Sequence, residues 1–212
     1  MNYLDLINKC LVELNYRKVN SLSELIKNEH EKIKNIISVI NSEVCTSYNW
    51  NFLLKNTNAT LPQGHGDITN PISGKIIMLK IDNNKYQYDA NFEKFFTNKQ
   101  PPQTYSIFND KILLPQFEED KNVDMIYYTN KYVKDEQGIE KTNFENFNDE
   151  SLIPMPFVEP LIVYGTCMRL KGNPQHPRFN YWLSMYKNAL ANLIADSNLT
   201  TEASPKVNPR RF

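Results

Sequence analysis

Apolar side chains near the start of the chain recur at the spacing of an α-helix. They lie three or four residues apart, at Tyr3, Leu4, Ile7, Leu11 and Leu14. This spacing predicts a helix over residues 2–14 with one apolar stripe. The sequence from Ser21 to Glu24 has the form of a capping box, and apolar residues follow it at helical spacing as far as Val44. We therefore expect a second helix of about 36 Å, long enough for one arm of a bundle.

The pattern changes toward alternation after Cys45. Trp50, Phe52 and Leu54 would share one face of an extended segment. The polar residues 56–70 cannot continue a helix, because they include a proline and two glycines. Short strands are then predicted over residues 75–81, 85–89, 104–108, 111–114 and 123–132.

Asn and Asp residues separate neighbouring strands in this region. They occupy positions 82–84 and 109–110, where hairpin turns need residues that tolerate positive φ. The middle of the chain therefore predicts a small antiparallel sheet. The polar residues 134–151 that follow have no clear period, and we expect a long connection that Phe144 and Phe147 order in part.

Helical spacing returns in the last third of the chain. Prolines mark the start of the next helix, at Pro154, Pro156 and Pro160. Apolar residues from Phe157 to Met168 then give a broad apolar face, which favours a central helix. A proline-rich turn over residues 173–177 precedes a last helix from Phe179 to about Asp196. The order of helices, strands and helices predicts the α+β class.

Composition and charge narrow the class of protein. The chain has 212 residues, 41% of them hydrophobic, with 24 basic and 24 acidic side chains. These values predict a soluble globular protein of one domain or two small ones. No apolar run approaches the roughly 20 residues that span a bilayer, and no signal-peptide pattern opens the chain, so we expect neither membrane insertion nor secretion by that route. Zero net charge gives no global attraction to nucleic acid.

Cysteines and histidines give no sign of a disulfide framework or a metal site. The cysteines are odd in number and far apart, at Cys10, Cys45 and Cys167. The histidines share no metal-ligand spacing, at His30, His65 and His176. Synthesis in a reducing cytoplasm fits this usage best. We predict no metal.

The sequence offers only weak candidates for catalysis. His65 lies two residues before Asp67, a spacing that could present an acid–base pair, but no serine or cysteine nucleophile accompanies them, and a flexible loop tip is the favoured interpretation. The acids at 118–120 would suit a divalent cation or simply a solvated turn. The phosphate-binding glycine motifs of nucleotide enzymes are missing. We therefore predict no catalytic residues, no cofactor and no enzyme.

One segment alternates aromatic and basic residues. Its members are Tyr127, Tyr128, Lys131, Tyr132 and Lys134. Aromatic rings over a basic groove can stack single-stranded bases, so a single-stranded nucleic-acid-binding module is the alternative function. The same alternation is also typical of a strand with one packed face.

Residues 198–212 have no hydrophobic period and form a predicted C-terminal arm. Such a tail is either disordered or a partner-binding arm, in which prolines lower the ordering cost, arginines meet carboxylates and a ring fills a pocket. The candidate partner-binding residues are Pro205, Lys206, Val207, Pro209, Arg210, Arg211 and Phe212.

Together these parts resemble the head-to-tail adaptor, or connector, proteins of tailed phages. The resemblance rests on the N-terminal LDLINKCLVELNYRKVNSLSE, on YNWNF at residues 48–52, and on PLIVYGTCMRLKGNP and YWLSMYKNALANLIA in the last helices. The nearest group is similar to tail tubular protein A and to the portal-bound ring proteins of short-tailed phages. The asparagine-rich composition also suits crAss-like phages. The resemblance covers most of the chain, and its motifs are helical periodicities more than invariant residues.

The resemblance implies a fold and a structural role. N-terminal helices at 1–47 and C-terminal helices at 153–197 would form one bundle, with an inserted antiparallel β-domain at 48–152 and an extended arm at 198–212. Members of the family form homo-oligomeric rings, commonly of twelve copies, beneath the portal protein in the virion, after assembly in the host cytoplasm. They contact further tail or ring proteins and let double-stranded DNA pass. The arm would grip the portal or a neighbouring subunit.

Overall fold

The computed structural model describes residues 1–202, with side chains as far as Asn198. The chain divides into two compact units. Met1–Leu53 and the chain from Lys131 onward form what we call the helical unit, and Leu54–Asn130 forms the β unit. The described residues contain five α-helices and two sheets, which confirms the mixed α and β composition that the sequence predicts.

Helix α1 (Tyr3–Glu13) begins at a capping box. The side chain of Asn2 accepts a hydrogen bond from the amide of Asp5 at 2.8 Å, and the Asp5 carboxylate accepts one from the amide of Asn2 at 3.3 Å. Two amides that have no partner inside the helix are thereby satisfied. The helix predicted over residues 2–14 is confirmed. Its buried side chains are Tyr3, Leu6, Ile7, Cys10 and Leu11.

The second helix is shorter than the sequence predicts. The capping box predicted at Ser21 is wrong, because its hydroxyl pairs with that of Ser23 at 2.7 Å and only a 3-10 turn forms, over Leu22–Glu24. Helix α2 begins later and spans Asn28–Thr46, about 28 Å at 1.5 Å per residue. Lys27 has extended backbone angles, which separate the turn from the helix.

The β unit consists of one large sheet and a short helix. Its strands are β1 (Leu54–Leu61), β2 (Asp67–Thr69), β3 (Gly74–Ile81), β4 (Asn84–Tyr88), β5 (Thr104–Phe108), β6 (Lys111–Leu113) and β7 (Lys121–Thr129), and α3 (Glu93–Phe96) lies between β4 and β5. The spatial order is β1-β7-β3-β4-β5-β6-β2, and neighbours are antiparallel except for β4 and β5. Contacts between β1 and β2 nearly close the sheet. Its core contains Leu79, Val123 and Met125.

The predicted strands and turns of this region are confirmed. Each of the five predicted strands is present, with ends that differ by at most three residues. Asp82 and Asn83 have φ of 50° and 64°, and Asn109 and Asp110 have φ of 46° and 56°. These residue types therefore supply the left-handed backbone that tight hairpins need.

Of the two predictions just before these strands, the extended segment at Trp50 is wrong, and the exclusion of a helix from residues 56–70 is confirmed. Trp50 does not begin an extended segment, because Asn51–Leu53 forms a 3-10 turn and the Trp50 indole donates to the Val44 carbonyl at 2.6 Å. The polar stretch that begins at residue 56 contains most of β1, which pairs along its full length with β7. Polar residues form this strand because hydrogen bonding to β7, and not apolar alternation, fixes it.

The segment predicted as a long connection contains a small sheet. Its strands are β8 (Val133–Lys134), β9 (Glu140–Lys141) and β10 (Glu150–Ser151), in the order β10-β8-β9. Phe144 is buried and stacks on Tyr3, with ring centroids 4.6 Å apart, whereas Phe147 is 48% exposed. One of the two rings therefore orders this segment.

Helix α4 (Val158–Leu170) is central in the helical unit. It packs against α1, α2 and the last helix, α5 (Phe179–Glu202). A Cβ atom at Gly165 would lie 3.1 Å from Ile40 of α2 and 3.2 Å from Tyr186 of α5. The small residue thus permits a close approach of three helices, in agreement with the broad apolar face of α4.

The β unit is smaller than the inserted domain predicted over residues 48–152. Residues 48–53 and 131–152 belong to the helical unit, because their contacts lie mainly with its helices and small sheet. None of the helices within residues 1–202 is long and apolar enough to cross a membrane.

Candidate interaction surface

The His65–Asp67 pair does not form the acid–base arrangement that its spacing suggests. His65 is exposed in a turn, where its amide donates to the Pro62 carbonyl at 3.1 Å. The Asp67 carboxylate lies instead 3.1 Å from Nζ of Lys111 on the neighbouring strand. In the part of the chain that the structure describes, no group of three or more histidine, cysteine, aspartate or glutamate side chains is placed to hold a metal ion.

The acidic run at residues 118–120 serves a turn. Asp120 accepts a hydrogen bond from the amide of Gln63 at 2.8 Å. Glu119 pairs with Lys121, whose Nζ also lies 2.7 Å from the Asp82 carboxylate. Hydrogen bonds from Lys121 to Asp82 and Glu119 raise the pKa of the lysine. The geometry therefore supports the solvated-turn interpretation, since Glu119 and Asp120 already have partners.

The aromatic and basic segment is divided between the two units. Tyr127 and Tyr128 are consecutive residues of β7, so their rings leave the sheet on opposite faces. Lys134 belongs to the helical unit, and its Nζ is 3.3 Å from the Glu150 carboxylate. Two rings on opposite faces cannot form one stacking platform for bases. The geometry thus favours the packed-strand interpretation that the sequence leaves open.

The three cysteines are free and buried in the helical unit. Cys10 and Cys167 are completely covered, and burial raises the pKa of the Cys10 thiol. Burial also raises the pKa of Cys45 to about 12. A thiol that is both covered and protonated is a poor nucleophile. These residues fill the core and do not form a reactive site.

This burial predicts how the thiols respond to a disulfide reagent. At pH 8 we expect none of the three cysteines to react with Ellman's reagent in the first minutes, because all three thiols are buried. The same assay in strong denaturant should titrate all three. Rapid stoichiometric reaction of one thiol in the folded protein would contradict the packing described for the helical unit.

The predicted partner-binding residues of the arm lie outside the described residues. They are Pro205, Lys206, Val207, Pro209, Arg210, Arg211 and Phe212. The predicted start of the arm at residue 198 is wrong, because α5 continues to Glu202. The Tyr48 hydroxyl contacts the Asn198 side chain at 2.8 Å, and Asn51 donates to the Ser197 carbonyl at 2.7 Å. These contacts hold the end of the helix.

Three phenylalanine rings form a partly exposed cluster on the β unit, which we call the aromatic triad: Phe92, Phe96 and Phe108. Phe92 stacks on Phe108 with ring centroids 4.4 Å apart and an interplanar angle of 21°. Phe96 meets both rings edge-on, at 6.4 Å and 5.9 Å. Phe96 nevertheless remains 63% exposed. Such geometry is favourable for aromatic rings, and it leaves a large apolar side chain in water.

Local contacts hold the triad in place. Phe95, next to Phe96 on α3, is buried and anchors the helix to the β unit. The Asp89 carboxylate accepts from the amide of Asn91 at 2.9 Å and pairs with Nζ of Lys94 at 2.8 Å. The hydrogen bond from Lys94 lowers the pKa of Asp89. Phe108 ends β5, so one ring of the triad is fixed by the sheet itself.

Some of the charged side chains near the triad in the sequence form ion pairs, and others do not. Lys94 is paired with Asp89, and Lys111 is paired with Asp67. Glu93, on α3, and Asp110, two residues after Phe108, are exposed and form no ion pair within residues 1–198. Lys99 is the remaining cation within residues 89–111, so the acids without an ion pair outnumber the bases there. The triad is thus an apolar surface whose unpaired neighbours in the sequence are mostly acidic.

The helical unit has a second surface, which is rich in tyrosine and arginine, residue types that are common at protein interfaces. Tyr164 and Tyr181 pack edge-on at 5.6 Å, and Arg178 lies over the Tyr181 ring at 6.0 Å. Arg178 also pairs with Glu13 at 3.1 Å. A cleft of about 390 Å³ adjoins them, and its Lys9 is paired with a glutamate of α4 at 2.7 Å. Because Lys9 and Arg178 are paired internally, these two cations do not indicate a class of ligand.

Sequence patterns give little warning of the aromatic triad. Phe92 and Phe96 lie in a polar segment of no clear period, and the pattern around Phe108 predicts an ordinary strand residue. The available signal is that Phe92, Phe95 and Phe96 fall within a segment too short to bury all three rings. In comparisons with known proteins, no family model matches this chain and no curated protein matches it.

Proposed function

We propose that this chain is a structural protein of a tailed-phage virion, which forms a ring beneath the portal and joins head to tail. The ring would extend the channel through which double-stranded DNA leaves the capsid. The proposal makes the chain a homo-oligomer, commonly of twelve copies, with the portal and the next tail proteins as its partners. It requires no catalytic residue.

The observation that carries the proposal is the way the chain is distributed between its two units. Helices from both ends of the chain, α1 and α2 with α4 and α5, contact one another in one compact unit. The β unit is encoded between them. The resemblance to connector proteins implies this arrangement, a bundle of terminal helices with an inserted β-domain. The proposal therefore interprets the helical unit as the bundle and the β unit as the insertion.

Surface chemistry supports the same proposal. A closed ring needs a heterologous interface, in which one patch of a subunit meets a different patch of its neighbour. The aromatic triad and the Tyr164–Tyr181 surface are two separate patches with the residue types that dominate protein interfaces. Equal numbers of basic and acidic residues suit a channel wall that must let DNA pass without holding it.

The proposal predicts a ring of high copy number. The purified chain should be measured by mass photometry, alone and after mixing with the portal protein encoded in the same genome. We expect discrete high-mass particles, either for the chain alone or on the portal, and ring-shaped particles with a central channel in electron micrographs. A chain that stays monomeric and ignores the portal, or a genome without a portal gene, would contradict the proposal.

The proposed docking role of the C-terminal arm leads to a separate prediction. Truncation after Glu202 removes residues 203–212 and leaves α5 complete. We expect assembly on the portal to weaken by about tenfold or more, because aromatic and arginine side chains dominate interface energies. The helical signal in circular dichroism should be unchanged. If the truncated chain assembles as well as the full chain, the arm has no part in docking.

A further inference from the structure

The rings of the aromatic triad, and the charged residues near them in the sequence, indicate what kind of ligand the triad can bind. Phe92 and Phe108 are stacked, and Phe96 stands edge-on to them with most of its ring in water. An exposed ring face attracts a guanidinium group, and an exposed edge or face accepts another aromatic ring. The acids next to the triad in the sequence, Glu93 and Asp110, have no ion pair within residues 1–198. A complementary ligand therefore combines arginine with an aromatic side chain.

The chain itself contains such a segment. Residues 203–212 include Lys206, Arg210, Arg211 and Phe212 and no acidic residue. The two arginines directly precede the phenylalanine, so one short peptide carries both groups. Prolines at 205 and 209 restrict the backbone of the free peptide and lower the entropy lost on binding.

We infer that the aromatic triad binds the Arg210-Arg211-Phe212 segment of a second copy of this chain. One arginine stacks on the stacked rings, the other pairs with Glu93 or Asp110, and Phe212 packs against Phe96. The contact is heterologous, because a peptide of one copy meets the β unit of another. The inference deepens the proposed function and rests on it, since it assigns one contact between neighbouring copies of the ring.

The test places a photo-crosslinker on the triad. Phe96 is replaced by p-benzoylphenylalanine in the full chain, and this protein is mixed with an equal amount of ¹⁵N-labelled wild-type chain before irradiation. Cleavage after Glu202 releases residues 203–212 as one peptide for mass spectrometry. We expect crosslinks from position 96 to a ¹⁵N-labelled peptide that contains Arg210 to Phe212. Phe147, also exposed, receives the crosslinker as the matched control and should not capture this peptide.

Variants of the arm test the chemistry of the contact. Replacement of Arg210 and Arg211 by serine in the labelled partner should reduce the captured peptide by about tenfold, because both arginine contacts are lost. Replacement of Lys187, an exposed cation on α5, by serine in the labelled partner should leave the yield unchanged.

The outcomes separate this inference from the proposed ring. Rings by mass photometry with crosslinks from position 96 to other segments would overturn the inference and leave the ring standing. Crosslinks only within one copy would also overturn it. Crosslinks between copies in a dimer that never forms larger particles would support the inference and contradict the ring.

Discussion

Substitution of Gly74 by alanine is expected to open the β unit. Gly74 begins β3 with φ of 150°, and a Cβ atom there would lie 1.9 Å from the backbone oxygen of Tyr128 on β7. Neither a rotamer change nor a side-chain shift can relieve a clash with backbone. We expect a loss of about 3 kcal/mol or more, which is about a hundredfold in an opening equilibrium.

The measurement must report on the β unit alone. Both tryptophans, Trp50 and Trp182, lie in the helical unit, so their fluorescence follows that unit. Amide hydrogen exchange of β3 and β7 should therefore be compared between Gly74→Ala and wild type, with faster exchange expected in the variant. Gly66→Ala is the matched control, because its Cβ would meet no atom closer than 3.5 Å. Equal protection in both variants would contradict the strand contact at Gly74.

Substitution of Trp182 by alanine is expected to have the largest effect in the helical unit. Trp182 is fully buried, its indole donates to the Glu13 carboxylate at 3.0 Å, and its ring stacks on His176 at 5.0 Å. Removal leaves a cavity and takes one donor from the Glu13 carboxylate, which keeps its ion pair with Arg178. We expect a loss of about 3–5 kcal/mol in the free energy of unfolding. Urea denaturation followed by Trp50 fluorescence measures it.

One further variant separates the contribution of packing from that of the hydrogen bond, and a second variant serves as the control. Trp182→Phe keeps a buried ring but loses the indole N–H, so we expect an intermediate loss that exceeds about 1 kcal/mol. Met185→Ala, on the same helix and 36% exposed, should change stability by less than about 1 kcal/mol. An effect of Met185→Ala as large as that of Trp182→Ala would mean that Trp182 does not hold the helices together.

Local residue chemistry predicted the parts of the fold that local forces decide. Asp82 and Asn83 form the expected turn because the preference for positive φ belongs to the residue itself. The stripe of α1 is equally local, since its period appears within a few turns. At Ser21 the local signal failed, because a capping box needs the following residues to stay helical and Lys27 is extended.

Long-range contacts decided what the sequence could not indicate. Most residues of β1 are polar, and the strand exists because β7, some sixty residues later, pairs with it. Trp50 is fixed by a hydrogen bond to the Val44 carbonyl, which alternation cannot foresee. The aromatic triad likewise depends on β5 bringing Phe108 to residues of α3. The partners of β1 and of the triad lie outside any short window of sequence, whereas Trp50 and Val44 are only six residues apart and alternation does not describe their hydrogen bond.

The pairing of β1 with β7 has a consequence for how this protein can change in evolution. Leu54 and Tyr128 are register partners, so the chain enters and leaves the β unit at neighbouring points. The β unit therefore begins and ends at paired residues, as a short hairpin does, and loop-closure entropy rises only slowly with the length between the two points. Strands can be added, exchanged or remodelled between them at little cost to the helices. We therefore expect the β unit to tolerate insertions between these two points.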